Sequence, residues 1–199
     1  MDIEKTMRSI RGRNMDAKHF ATAREAADYL SSQISGKTVG IGGSKTIEAL
    51  NIYDRLCENN SVHWHWKDGA SPDVFRAAES AEVYLSSVNA IAETGELVNI
   101  DGRGNRVASL SFGEGRTIYV AASTDKICPD LASAIERART VAAPENVKKL
   151  PGKRPCGTLG RCVDCRSADR GCCILQAIMF KPMNTEKFEV ILIDEKLGF

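Results

Sequence analysis

Apolar and polar positions follow two rhythms along this chain, and the switches between them mark its elements. Ile3, Met7 and Ile10 recur at helical spacing up to Gly12, which predicts a short N-terminal helix. A brief apolar patch at His19-Phe20-Ala21 leads to Thr22, an N-cap whose Glu25 completes a capping box for a helix over Ala23 to Ile34. Thr38 to Ile41 is a β-branched run that stops among Gly40, Gly42 and Gly43. An amphipathic segment, Thr46 to Glu58, follows it, and the unit reads as strand, tight loop, helix. Ser61 to Trp66 predicts a second strand, with His63 and His65 on one face and Trp64 and Trp66 on the other. Ser71-Pro72 opens a helix through Ala81, and Glu82 to Ser86 is a third strand.

Val88 to Gly95 reads as irregular or briefly helical. Glu96 to Ile100 and Arg106 to Ser111 flank the turn-rich Asp101 to Asn105, which predicts a hairpin. Thr117 to Ala122 is a further strand. Pro129 opens a helix to about Ala142, and Ala143-Pro144 is expected to end it. From Lys148 to Cys173 the chain turns to Pro, Gly, Cys and basic residues, an irregular loop before two closing strands, Ile174 to Phe180 and Phe188 to Ile193. Strands and helices alternating at these lengths predict an α/β fold, a mostly parallel sheet with helices on both faces. Residues 1–199 are taken as one domain, with 1–20 a helical lead-in and 148–173 a cysteine-bearing loop.

Composition narrows the function classes. Hydrophobic residues make up 43% of the 199 positions and aromatics 6%, which implies an aliphatic core. The net charge of +1 supplies no global field for nucleic acid or an anionic membrane. No apolar run approaches the roughly 20 residues of a membrane span. Met1 to Asn14 has no apolar stretch of the kind a secretory signal needs. Seven cysteines, an odd number, favour a reducing cytoplasm over a disulfide framework.

Three constellations carry chemistry. After Ile41, the backbone N–H groups and helix N-terminus at Gly42, Gly43, Ser44, Lys45 and Thr46 suit a small anion such as a carboxylate or phosphate. The glycine spacing fits neither a dinucleotide fingerprint nor a P-loop. A well-capped turn without ligand is the plain alternative. Polar residues follow the third strand at Asn89, Glu93, Asn99 and Asp101. There Glu93 has the chemistry of a nucleophile or base and Asn89 that of an orienting group, although all can simply shape turns.

The cysteine loop is the strongest chemical signal. Cys156, Cys162, Cys165 and Cys172 are candidate ligands of Zn²⁺ or an iron–sulfur cluster, with Cys173 a weaker fifth. Seven basic residues against Asp164 and Asp169 between Lys148 and Arg170 favour thiolates there. Redox-active or merely structural thiols are the other options. His63 and His65 form a weaker pair of metal candidates.

Several blocks together resemble one family. They are Gly42-Gly43-Ser44-Lys45-Thr46, the run Thr94 to Val107, Pro129-Asp130-Leu131, Ala143-Pro144-Glu145-Asn146 and the cysteine segment Pro155 to Arg170. In combination they are similar to the LUD-domain (lactate utilization protein C-like) family. That resemblance implies a fold of the kind shared by glucosamine-phosphate deaminases, ribose-phosphate isomerases and CoA transferases. It implies a link to bacterial lactate oxidation alongside iron–sulfur partner subunits, and it brings no established mechanism. Glu93-Thr94-Gly95 is similar only in outline to the Glu-x-Gly nucleophile setting of CoA transferases. The expectation is a cytoplasmic component of lactate utilisation that binds a small anion, as enzyme or accessory protein, with self-association open. The alternative is an iron–sulfur or zinc-bearing subunit that docks partner proteins through its cysteine loop.

Overall fold

The computed structural model describes residues 1–150 and 152–199; Pro151, inside the basic loop, lies outside the described residues. The first half of the chain contains α1 (Ile3–Gly12), β1 (Asp16–Phe20), α2 (Ala23–Gln33), β2 (Thr38–Ile41), α3 (Lys45–Ala49) and α4 (Tyr53–Cys57). It continues with β3 (Ser61–Trp64), α5 (Pro72–Ser80), β4 (Val83–Ser86), β5 (Ala90–Ala92) and β6 (Leu97–Asp101). The second half adds α6 (Asn105–Ser111), β7 (Thr117–Ser123), β8 (Ile127–Cys128), α7 (Leu131–Arg137) and α8 (Ala143–Val147). It ends with α9 (Pro155–Leu159), β9 (Ile174–Ile178) and β10 (Lys187–Ile193).

Six strands form a wholly parallel sheet in the order β1-β10-β7-β4-β2-β3. A smaller sheet, β8-β5-β6-β9, pairs antiparallel except between β5 and β8. The alternation within β7 and β10 explains how the layers stack. Tyr119, Ala121, Ile191 and Ile193 face Leu30, Ile47 and Leu56 from α2, α3 and α4. Their neighbours Ile118, Val120, Val190 and Leu192 face Met7 and Ile10 of α1 and Ile91 and Leu97 of the small sheet. Ala134 and Ala138 close the far side of the small sheet against Ala90 and Val98. Each fully buried aliphatic side chain contributes roughly 1.5–3 kcal/mol. The architecture is therefore α/β, a parallel sheet with helices on both faces. Among the described residues no helix is long and apolar enough to cross a membrane.

Four local expectations change. Residues 105–111 form α6, not the second strand of a hairpin, and β6 pairs with β5 and β9 instead. Gly104 begins that helix in the left-handed region at φ 94°, and the Asp101 carboxylate accepts from the N–H groups of Arg103 and Gly104. Residues 90–92, read as irregular, form β5. The segment after the glycine loop breaks into α3 and α4 at Asn51, which takes φ 49°.

The fourth change concerns Pro144, which does not end its helix. A proline ring crowds the carbonyl four residues earlier and donates no hydrogen bond. The turn over Ala138–Ala142 is widened to π geometry, so the chain runs on through Pro144 into α8.

Candidate functional site

Loops after five strands of the large sheet converge on one cavity of about 760 Å³. Gly43 to Thr46 follow β2, His65 and Trp66 follow β3, Ser87 to Asn89 follow β4, and Lys126 follows β7. Phe199, beyond β10, reaches the same space. This is the carboxyl end of the strands, where open α/β sheets collect ligands. The facing wall comes from Ile100 to Arg106 and from Arg154 and Arg170 to Cys172 of the cysteine loop.

The three glycines of the β2 loop divide their duties. None of them takes a positive φ. A Cβ on Gly40 would lie 2.1 Å from the Ala78 carbonyl oxygen, so this glycine exists to seat α5 against the sheet. A Cβ on Gly42 would lie 2.8 Å from Ser86 Oγ, and its N–H belongs to the sheet through Leu85 O. Gly43 lines the cavity beside His65. Ser44 caps α3 by accepting from the Ile47 N–H at 3.2 Å. With five residues α3 offers only a small dipole, so the charge here comes from side chains. Lys45 spans Glu48 at 2.6 Å and the Trp66 ring at 4.9 Å.

Asn89, Asp101 and Arg106 form a single polar knot. Asn89 Oδ1 accepts from the Ile100 N–H at 2.8 Å and from Arg106 Nη2 at 3.1 Å. Arg106 donates also to Ser87 O and Ile100 O and meets Asp101 Oδ2 at 3.4 Å. Arg137 donates to the Asn89 carbonyl at 2.6 Å. Arg103 lies over the Phe75 ring, 4.5 Å from its centre. Burial, and then Arg103, hold the His65 imidazole below its ordinary pKa.

Lys126 was not singled out by sequence. It is 2% exposed, and its Nζ donates to Thr46 Oγ1 at 2.8 Å and to Ser87 Oγ and Val88 O at 3.3 Å. Burial, then the Arg137 charge, lower its pKa to about 7. The one available signal was its place, a lone cation between the apolar strand β7 and Ile127-Cys128.

The structure separates some of the predicted group. Glu93 sits at the opposite end of β5 from Asn89, outside the cavity lining. Its carboxylate accepts from Lys5 Nζ at 2.5 Å and the Asp2 N–H at 2.9 Å, and Lys5 is the main cause of its lowered pKa. Asn99 is fully buried in β6 and donates to Gln176 across to β9 at 2.9 Å. His63 stays on β3, 3.4 Å from Ser61 Oγ, while His65 lies past the end of the strand in the cavity. The strand ends at Trp64, which enters the core, and Trp66 stacks on it.

All seven cysteines are free thiols. Cys156, Cys162, Cys165 and Cys172 line one hollow of about 20 Å³, and Cys172 also lines the large cavity. Burial, and then the three neighbouring thiols, push the Cys172 thiol upward. Among the described residues no group of three or more His, Cys, Asp or Glu stands close enough to hold a metal ion as placed. The loop is held by polar clasps. Arg170 donates to Cys165 O, Cys172 O and Asp164 Oδ1, and the Cys173 N–H donates to Asp101 O.

A family model described as the LUD domain matches residues 3–193. The crystal structure of a DUF162 family protein from Deinococcus radiodurans is similar in fold, with a TM-score of 0.57 at 14% identity. The likeness covers 96% of this chain and 95% of that one. No curated protein matches the chain by sequence.

Proposed function

We propose, from the premise that this chain belongs to the LUD-domain family, that its cavity binds a small carboxylate or phosphorylated anion in lactate utilisation. One observation carries this reading. Lys45, Arg103, Arg106, Lys126, Arg154 and Arg170 line the cavity, against Asp101 as the single acidic side chain among its described lining residues. Asp101 is already committed to Arg106 and two backbone N–H groups. A surplus of cations in the lining, the buried Lys126 among them, favours an anionic guest, and Ser44, Thr46, Ser87 and Asn89 add polar groups around it. Thermal unfolding with lactate, pyruvate and a phosphate monoester tests this. A raised melting temperature that shrinks in Arg103→Ala is expected, and an unmoved melting temperature with all three would remove the reading.

A second reading is favoured by the cysteine hollow. Four thiols around one small space, one of them on the cavity wall, support a zinc- or cluster-bearing loop that docks a redox partner. Native mass spectrometry of anaerobically purified protein reports bound metal and bound anion together, and so separates the two readings.

A further inference from the structure

Among the described residues, the buried Lys126 ammonium donates only to neutral oxygens: the Thr46 and Ser87 hydroxyls and the Val88 carbonyl. The charged groups that act on it are Arg137 of α7, Arg106 of α6 and the exposed Asp125 beside it in the chain. Two of those three repel it. A buried charge without a counter-ion is costly, and the cost falls when an opposite charge arrives. Lys126 lines the cavity that has the cation surplus, at the carboxyl end of a central strand.

We propose that Lys126 is the seat of the ligand's anionic group, a carboxylate or phosphate, and that its amine takes up one proton from solvent as the anion enters. This rests on the anion-binding reading of the cavity. The free amine, lowered to about 7, is mostly neutral above that pH. An adjacent anion restores the charged form, so the ammonium turns from its hydroxyl partners toward the guest. No covalent bond forms or breaks. Binding and proton uptake are then linked: affinity is greatest below about pH 7 and falls as pH rises above it. His65, held below its ordinary value, changes charge at lower pH, and the raised Cys172 thiol does so at higher pH. Of these three groups, Lys126 is the one whose charge changes nearest pH 8.

Isothermal titration calorimetry near pH 8, in buffers of different ionisation enthalpy, counts the protons. Pyruvate serves as the carboxylate probe and sulfate as a tetrahedral anion that does not itself titrate there. Wild-type protein is expected to take up close to one proton per anion bound. Lys126→Arg, permanently charged, should bind without uptake, and Lys126→Met should bind about tenfold more weakly, also without uptake. Uptake with pyruvate alone assigns a carboxylate, and uptake with sulfate alone a phosphate-like group. Binding by wild-type protein without proton uptake, or uptake that persists in Lys126→Arg, overturns the proposal and leaves the anion cavity standing. Failure of both probes to bind overturns the cavity reading and this one with it. If Lys126→Met does not fold, the wild-type count and Lys126→Arg still decide.

Discussion

Arg106 and Asn89 meet at 3.1 Å, guanidinium to amide oxygen, and that oxygen also takes the Ile100 N–H at 2.8 Å. One side chain thus joins α6 and β6 to the loop after β4 at the cavity. Asn89→Ala strips partners from two half-buried donors, each worth about 1–3 kcal/mol when left unsatisfied. The expected result is a loss of about 2 kcal/mol in urea denaturation, together with weaker anion binding. Asn89→Asp keeps both acceptor bonds and should recover most of the stability.

Gly40 and Gly43 separate packing from binding. Gly40→Ala drives a methyl group into the Ala78 backbone and should cost about 1–3 kcal/mol, visible as a lower melting temperature without ligand. A Cβ at Gly43 meets His65 at 3.3 Å on the cavity wall, so Gly43→Val should fold and lose the anion-induced rise. An unchanged rise in folded Gly43→Val would take this loop out of the site.

Glu93 should reveal itself in acid stability. Lys5 and the Asp2 N–H hold its carboxyl below the ordinary value. The stabilisation is therefore complete above the unfolded carboxyl pKa, about 4.3, and is lost as pH falls through the lower folded value. Glu93→Gln should flatten that part of the acid limb and speed amide exchange in α1, while the cavity's anion response stays unchanged. A vanished anion response in a folded variant would bring Glu93 back to the site.

The cysteine hollow predicts metal-dependent protection. Bound zinc or iron in anaerobic wild-type protein should disappear in Cys162→Ser, with faster proteolysis between Arg161 and Arg170 and an intact core. Metal-free protein whose loop resists protease equally would assign its order to the polar clasps, those of Arg170 and Cys173 among them.

Local chemistry was legible in the chain, and long-range chemistry was not. The capping box at Thr22 formed as read because both of its partners lie within four residues. The strands β7 and β10 announced themselves as near-continuous apolar runs, as strands buried on both faces do. Residues 105–111 misled because Val107, Ala108 and Leu110 suit either a strand or a helix. The choice fell to Gly104, Asp101 and the burial of Leu110. Of the cavity, the glycine loop could be found from its own residues. Lys126, Arg103 and Arg106 could not, since only the strand order brings them opposite that loop. Nor does spacing reveal that Gly40 serves α5 while Gly43 serves the cavity.

The strand order also sets a schedule. Strand β10 enters between β1 and β7, pairing Glu189 with Asp16 on one side and with Tyr119 on the other. A ribosome delivers β1 long before β10, so the nascent chain holds an early strand with no neighbour to receive it. That strand is suited to waiting: Asp16, Lys18 and His19 keep it polar, which discourages premature pairing with other chains. The pairing of β1 with β10 is among the contacts of greatest sequence separation, the kind that slows folding. Interruption of synthesis in the cysteine loop would thus leave open the edge of β7 that β10 pairs with, and leave β1 without its partner.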